Sequence, residues 1–168
     1  MKGGSLATEV GESAEPGAAL ERAFEAHRDW LVRRLALIVG DAEEAHDLAQ
    51  ETFVRAMERW PLPDMTEPAR WLATVGMRLA IDERRRRRRW GFLPMRETDA
   101  TWAMAVDPDL WRALGRLDRR TRAAIILTEL DGYTQDEVGR MLDAPRGTVA
   151  SWISRGHARL RADLGDTP

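Results

Sequence analysis

The sequence predicts an all-α protein, and three features of its pattern carry this prediction. Apolar residues recur at steps of three, four and seven, which is the spacing of one face of a helix. No alternation typical of a β-strand persists anywhere. Pairs of helix-capping residues precede several of the periodic segments. A length of 168 residues allows one domain or two of about 80 residues each.

Composition excludes several classes of protein. The chain has no cysteine, which rules out disulfides, thiolate metal sites and cysteine nucleophiles. It has no apolar run near the roughly 20 residues that cross a bilayer. Its first residues lack the apolar segment of a secretory signal. We therefore expect a soluble, cytoplasmic protein without direct membrane insertion, and we expect no cofactor and no metal.

The N-terminal part is predicted to be a tail followed by two helices. Residues 1–18 are small, glycine-rich and acidic, which predicts a disordered tail. The first helix ends at Gly40, and its apolar face comprises Leu20, Phe24, Leu31, Leu35 and Ile38. Asp41 opens the second helix, and Glu44 stands three residues on, in the position that completes a capping box.

A third helix is predicted from about Ala69, after a proline-rich loop at residues 61–68. No glycine or proline interrupts the chain from Met77 to Trp90, so we predict that this helix continues into the six arginines of residues 84–89. By contrast, residues 41–51 hold five acids and no Arg or Lys. This separation of charge indicates one surface for a basic partner and another for a polyanion.

Residues 91–106 form a predicted linker with an unusually apolar composition. We expect its aromatic and methionine residues to pack against the rest of the chain or against an inhibitory partner, because a freely solvated tether is normally polar. Asp107 and Pro108 then form a helix start. Four helices are predicted beyond this point, at residues 108–117, 119–131, 135–142 and 148–163.

The last two of these helices match the helix-turn-helix pattern, whose second helix enters the DNA major groove. Thr134 and Glu137 form a capping box, Gly139 provides room for a close helix crossing, and Thr148 is predicted to cap the second helix. On that second helix, one stripe is apolar, comprising Val149, Ile153, Gly156 and Leu160. The opposite face carries serine and arginine, which suits contacts to phosphates and base edges.

Three blocks, in order, resemble the bacterial extracytoplasmic-function sigma factors, group IV of the sigma-70 family. They are "GDAEEAHDLAQETFVRAMERW" at 40–60, "WLATVGMRLAIDERRRRR" at 71–88, and the segment 114–164, which includes "YTQDEVGRML" and "RGTVASWISRGHARLRADL". The resemblance implies two small helical domains joined by a linker: region 2 over residues 19–90, the linker over 91–106, and region 4 over 107–168.

The resemblance also implies which residues bind. Core RNA polymerase would contact Asp47, Gln50, Glu51 and Phe53, although Phe53 is also expected in the apolar core. The minus-ten promoter element would meet Asp64, Arg70, Trp71, Arg78, Arg84 and Arg85, with Trp71 largely structural. The minus-thirty-five element would meet Arg146, Thr148, Ser151, Trp152, Ser154, Arg155 and Arg159. An anti-sigma factor is the further partner expected, holding the protein inactive until a stress or envelope signal.

Three residues depart from the usual pattern of this family. Arg78 stands where Asn is common, so the local DNA contact is expected to differ. Trp152 stands where a basic residue is common; it could pack half-buried, contact a thymine methyl group or touch a protein partner, and we favour the first. Gly139 replaces the usual Ala, which keeps the small size but lowers helix propensity by about 1 kcal/mol.

Other classes of protein fit less well. A one-component regulator would bind operator DNA without polymerase and would need a ligand pocket or a dimer seam in its N-terminal half. An anti-sigma factor or adaptor would have no use for a helix-turn-helix. An enzyme is not expected, because the chain has neither a glycine-rich phosphate loop nor a nucleophile motif. Its three histidines, His27, His46 and His157, lie on separate predicted helices.

Overall fold

The computed structural model describes residues 16–59, 61–62, 67–82 and 107–165. Within these ranges the regular structure is helical and no strand occurs, which confirms the predicted fold class. The α-helices are α1 Pro16–Val39, α2 Ala42–Glu58, α3 Pro68–Ile81, α4 Pro108–Gly115, α5 Arg119–Ile125, α6 Gln135–Leu142 and α7 Arg146–Leu164. A π-helical turn, Ile126–Leu130, extends α5 directly.

Helices α1 to α3 form the N-terminal domain around a core of large apolar side chains. Leu31 and Leu35 of α1, Leu72 and Met77 of α3 are all at most 1% exposed. Gly76 lets α3 approach α1, because a Cβ at this position would lie only 3.2 Å from Leu31 Cδ1. This packing fixes the orientation of the outer faces of α2 and α3.

Helix α1 begins inside the segment predicted as a disordered tail. Pro16 is its first residue, so residues 16–18 are helical rather than part of the tail. Proline is favoured in the first turn of a helix, where its missing N–H would have no partner and its φ already suits the helix. At the other end Gly40 has φ +77°, a conformation that favours glycine, and α1 stops there as predicted.

Helix α3 is shorter than the sequence predicted. It ends at Ile81, and Asp82 has an extended backbone with φ −69° and ψ 99°. The apolar face that packs α3 onto its domain ends at Ile81, and no apolar side chain follows before Trp90. Since packing of an amphipathic face supplies most of the stability of a protein helix, the end of this apolar face accounts for the end of α3. The arginines of 84–89 and the predicted linker of 91–106 lie outside the described residues.

Helices α4 to α7 form the C-terminal domain, and capping side chains start three of them. Asp107 accepts from the N–H groups of the first turn of α4, Asp118 does so for α5, and Thr134 with Glu137 forms the predicted capping box of α6. Gly156 of α7 lies against α5, because a Cβ there would be 2.5 Å from Ile125 Cδ1. The apolar stripe of α7 is buried in this domain, as predicted.

Helices α6 and α7 are the predicted helix-turn-helix, with a tighter turn than expected. Asp143 takes the left-handed conformation at φ 53°, and the N–H of Ala144 returns to the carbonyl of Gly139 at 2.9 Å. Because the chain reverses so quickly, α7 begins at Arg146 with Pro145 as its N-cap. The prediction that Thr148 caps this helix is therefore wrong: Thr148 lies within its first turn.

The two domains pack directly against each other. A single cluster of buried apolar residues runs through both, including Leu35 and Met77 on one side and Leu127 and Val138 on the other. Helix α3 packs on α5 and α6, and α1 packs on α5 and the π-helical turn. Arg34 of α1 donates to Asp131 at 2.7 Å across this boundary. The face of α3 that meets α6 therefore lies between the domains.

Candidate polymerase and nucleic-acid interfaces

The polar residues predicted to contact polymerase lie on the outer side of α2. Gln50 is exposed, while Asp47 and Glu51 are half-buried. Phe53 differs from them, because it is only 5% exposed and its ring meets that of Phe24 edge-on, with centroids 4.6 Å apart. Contact by the three polar residues stays a prediction, whereas Phe53 belongs to the core of the N-terminal domain.

Two exposed apolar side chains extend this face of α2, and the sequence analysis missed them. Val54 is 51% exposed and Met57 is 61% exposed. They stand four and seven residues after Gln50, so they continue the same side of the helix. Two neighbouring exposed apolar side chains flanked by polar ones suit the centre of a protein-binding surface. Their spacing of four and seven residues from Gln50 could have predicted that they share its face of the helix.

The predicted minus-ten residues are only partly described. Asp64, Arg84 and Arg85 lie outside the described residues. Trp71 is half-buried and packs against the apolar core, which agrees with a structural role. Arg70 and Arg78 both lie on the face of α3 that meets the C-terminal domain.

Arg70 is held by the capping box of α6. Its Nη2 donates to Glu137 Oε1 at 2.9 Å, and its guanidinium carbon lies 5.8 Å from the centre of the Tyr133 ring. The second carboxylate oxygen of Glu137 accepts from the N–H and the hydroxyl of Thr134 at 2.9 and 2.8 Å. These hydrogen bonds from Thr134, aided by Arg70, hold the pKa of Glu137 below its ordinary value. Glu137 thereby links the start of α6 to α3.

Arg78 is held by the other end of the same helix. Its Nε donates to the carbonyl of Met141 at 2.7 Å, and its Nη2 donates to the carbonyl of Arg140 at 2.9 Å. The last four carbonyls of a helix have no partner within the helix. A cation there also opposes the negative end of the helix dipole. Arg78 therefore caps the C-terminus of α6 from the neighbouring domain.

A third contact joins α2 to α5. Nη1 and Nη2 of Arg119 donate to the two carboxylate oxygens of Glu44 at 2.8 and 2.7 Å, and Nη1 also donates to the carbonyl of Ala80 at 3.0 Å. The side chains of Glu44 and Arg119 are only 9% and 15% exposed. Asp41 caps α2 as predicted. Glu44, however, does not complete the predicted capping box, and its carboxylate faces Arg119 instead.

The predicted minus-thirty-five residues lie on α7, and most of them are accessible. Ser151, Ser154, Arg155 and Arg159 are exposed, whereas Thr148 and Trp152 are half-buried. Arg146 is exposed and lies 3.7 Å from Asp136 of α6. Trp152 packs against the apolar core, which confirms the half-buried arrangement favoured by the sequence. The hydroxyl groups of Ser151 and Ser154 and the guanidinium groups of Arg155 and Arg159 form one exposed polar face, which is suited to DNA phosphates and base edges.

The described residues provide neither a metal site nor a membrane-spanning helix. Among the described residues, no group of three or more His, Cys, Asp or Glu side chains is placed to hold a metal ion. Across the same part of the chain, none of the helices is both long enough and apolar enough to cross a membrane.

Comparison with known proteins gives matches over both domains. Residues 23–90 match Sigma-70 region 2, and residues 108–160 match Sigma-70, region 4. The chain is 31% identical over 157 residues to the RNA polymerase sigma factor CarQ of Myxococcus xanthus, covering 88% of this chain and 90% of CarQ. It is 30% identical over 173 residues to the ECF RNA polymerase sigma factor SigL of Mycobacterium tuberculosis, covering 95% and 96%.

Two further similarities have either lower coverage or lower sequence identity. The ECF RNA polymerase sigma factor SigE of Mycolicibacterium smegmatis is 32% identical over 148 residues, which is 80% of this chain and 57% of SigE. Among solved structures, the sigma factor RpoE in complex with the anti-sigma factor NepR, from Bartonella quintana, gives a TM-score of 0.71 at 22% identity. That alignment covers 88% of this chain and 98% of the other. It shows the fold.

The fold and the exposed face of α7 define a two-domain helical protein with a helix-turn-helix. Matches over both domains, together with relatives aligned along nearly their whole length, make the assignment more specific. The chain belongs to the extracytoplasmic-function sigma factors of the sigma-70 family. The relatives favour this interpretation over a one-component regulator.

Proposed function

We propose that the chain binds core RNA polymerase and directs promoter-specific transcription initiation in the bacterial cytoplasm, without a catalytic activity of its own. One observation carries the proposal: a single chain joins a region 2 domain with an accessible α2 face to a helix-turn-helix with an accessible polar face on α7. A sigma factor needs both surfaces, since polymerase supplies the catalysis and the sigma factor supplies the DNA sequence preference.

Helix α2 is the proposed contact with polymerase. Val54 and Met57 would form the apolar centre of the interface, and Asp47, Gln50 and Glu51 its polar rim. The acidic segment at 41–51 would meet a basic polymerase surface, which speeds the encounter and orients the partners.

The proposed DNA contacts divide between the domains. Arg70, Arg78 and the arginines at 84–89 would meet the phosphates of the minus-ten region, with Asp64 in the loop that receives an unstacked base. Helix α7 would lie in the major groove at the minus-thirty-five element, using Ser151, Ser154, Arg155 and Arg159, with Arg146 and Thr148 near its start.

An anti-sigma factor is the proposed regulator. The similar fold of RpoE was crystallised with the anti-sigma factor NepR. Such a partner would hold this chain away from polymerase until a signal releases it. Co-purification of the chain with a partner encoded beside it, and loss of transcription on adding that partner, would support this part of the proposal.

Run-off transcription with purified core polymerase and a promoter library tests the main proposal. We expect promoter-specific transcripts that require the chain. We also expect Val54→Asp to raise the concentration of chain needed, while Leu130→Asp, at a residue that is 55% exposed in the C-terminal domain, leaves it unchanged. No transcript from any template, combined with tight operator binding by the free chain, would instead indicate a one-component regulator.

A further inference from the structure

Gly147, in the first turn of α7, is a glycine that the described part of the fold does not require. A Cβ at this position would meet no described atom within 4 Å, and its φ is not positive. By contrast, a Cβ at Gly139 or Gly156 would lie 2.6 or 2.5 Å from a neighbouring atom. Glycine also lowers the stability of a helix relative to alanine. A partner that comes close to the backbone would account for Gly147, because glycine leaves room for it.

Gly147 is exposed on the face of α7 that points away from the apolar core. Val149 and Ile153, two and six residues on, are buried on the opposite side of the helix. Ser151 follows Gly147 by one turn and is exposed on the same face. In a helix-turn-helix, the N-terminal residues of the second helix are the ones that contact base edges. Gly147 and Ser151 therefore lie where α7 would approach the bases most closely.

The hydroxyl of Ser151 is already used as a hydrogen-bond donor. Its Oγ donates to the carbonyl of Gly147 at 2.8 Å, so only the lone pairs of the oxygen are left for DNA. Phosphate oxygens accept hydrogen bonds and do not match such an oxygen. In the major groove, the donors are the N6 amino group of adenine and the N4 amino group of cytosine, whereas guanine and thymine present acceptors. Ser151 is therefore set to accept from an amino group.

The two residues are linked by the reach of the serine side chain. Serine is one of the shortest polar residues, so its oxygen meets a base edge only if the backbone of α7 lies deep in the groove. A longer side chain at position 147, one turn earlier on the same face, would hold the backbone away from the bases. The long side chain of Arg155, one turn after Ser151, does not depend on such depth.

We propose that Gly147 sets the depth at which α7 enters the major groove, and that Ser151 reads an adenine or cytosine amino group there as a hydrogen-bond acceptor. Gly147 is a positioning residue and Ser151 determines specificity. The proposal rests on the proposed function, because it takes α7 as the helix that meets the minus-thirty-five element. It adds a direction to the hydrogen bond of Ser151 and a cause for the glycine one turn before it.

Base analogues test the direction of this hydrogen bond. Holoenzyme made from core polymerase and the full chain is bound to a promoter selected by run-off transcription. Each adenine of the minus-thirty-five element is replaced in turn by purine, and each cytosine by 2-pyrimidinone, because these analogues lack the amino group. We expect one replacement to weaken binding about fivefold, within the roughly 2- to 10-fold that a neutral hydrogen bond contributes. Ser151→Ala should lose this penalty, whereas Ser154→Ala, at another exposed serine of α7, should keep it.

Substitution of Gly147 separates docking depth from folding. Gly147→Gln should leave the urea midpoint of the chain equal or raised, because the position faces open space. The same variant should weaken holoenzyme binding to the promoter about tenfold, a loss within the range for one mismatched base pair. It should also remove the penalty for the missing amino group. Ala26→Gln, exposed on α1, adds the same side chain in the other domain and should leave binding unchanged.

The outcomes distinguish this proposal from the proposed function. Promoter binding by Gly147→Gln equal to that of the unmodified chain would overturn the role of Gly147. A full amino-group penalty in Ser151→Ala, or no penalty at any base, would overturn the role of Ser151 while promoter-specific transcription continued. Absence of promoter-specific transcription with the unmodified chain would contradict the proposed function itself, and both roles with it.

Discussion

Gly139 of α6 packs directly on the backbone of Ala144, the residue at the centre of the helix-turn-helix turn. Its carbonyl accepts from the N–H of Ala144 at 2.9 Å, and a Cβ at position 139 would lie 2.6 Å from the carbonyl oxygen of Ala144. The sequence predicted a close approach of two helices here. The close neighbour is instead the turn, which cannot move aside as the end of a flexible side chain can.

Gly139→Ala should therefore destabilise the C-terminal domain, although alanine is the better helix former. The propensity gain is about 1 kcal/mol, while overpacking against a fixed neighbour costs about 1–3 kcal/mol. Urea unfolding followed by circular dichroism measures the balance. Gly147→Ala is the control, because a Cβ there meets nothing within 4 Å, and it should leave stability equal or raised. A rise in stability for Gly139→Ala would contradict this prediction, because it would show that the turn at Ala144 shifts to make room for the methyl group.

Asp118 makes the start of α5 sensitive to acid. Burial would raise the pKa of Asp118, but hydrogen bonds from Thr121, through its hydroxyl and N–H, and from the N–H of Arg120 outweigh burial and hold the pKa below its ordinary value. A carboxylate with a lowered pKa contributes stability that is fully present above its unfolded pKa and lost as the pH falls through its folded pKa. We expect stability to decline below about pH 4 in part because this cap is protonated.

Asp118→Asn tests this expectation, because asparagine caps helices well without titrating in this range. The variant should resemble the unmodified chain at neutral pH and lose less stability between about pH 4 and pH 2. Unfolding midpoints across that range give the comparison. Asp109→Asn, at an exposed position on α4, is the control for removing one carboxylate. Identical acid sensitivity of the Asp118→Asn variant and the unmodified chain would contradict the assignment.

Local signals in the sequence predicted much of the fold. Asp107 and Pro108 start α4, Gly40 ends α1, and Thr134 with Glu137 caps α6, because each depends only on residues within one turn of a helix. The same reasoning failed at Thr148. The start of α7 is set by how sharply the chain reverses at Asp143, which a preference for capping residues does not encode.

Pairing over long distances was beyond prediction from the sequence. Glu44 has the spacing of a capping box with Asp41, and nothing nearby indicates that its carboxylate binds Arg119 instead. Arg78 stood out only as a departure from the family pattern, and its partners are backbone carbonyls, which carry no sequence signal. The polar face of α7 was predictable because helical periodicity alone decides which side is buried.

Trp152 is expected to act on stability more than on DNA recognition. It is half-buried and packs against the apolar core. Since replacing a fully buried Trp by Ala costs about 3–5 kcal/mol, Trp152→Ala at this half-buried site should cost about half as much. Trp152→Phe should retain most of the stability. Both variants should keep the promoter preference of the unmodified protein in run-off transcription, and a changed preference with Trp152→Phe would reveal a base contact.

Arg155 and Arg159 are exposed on the polar face of α7, one turn apart, and are expected to meet phosphates. Each phosphate contact contributes about 0.9 to the slope of log affinity against log salt concentration. Arg155→Gln combined with Arg159→Gln should therefore flatten the slope for polymerase holoenzyme on promoter DNA by about 1.8 if both make such contacts. Arg112→Gln on α4, 67% exposed, is the matched control and should leave the slope unchanged.

If one arginine instead reads a guanine, its single variant should also relax sequence preference at one base pair, by about 1–3 kcal/mol. An unchanged slope in the double variant would remove both arginines from the DNA interface.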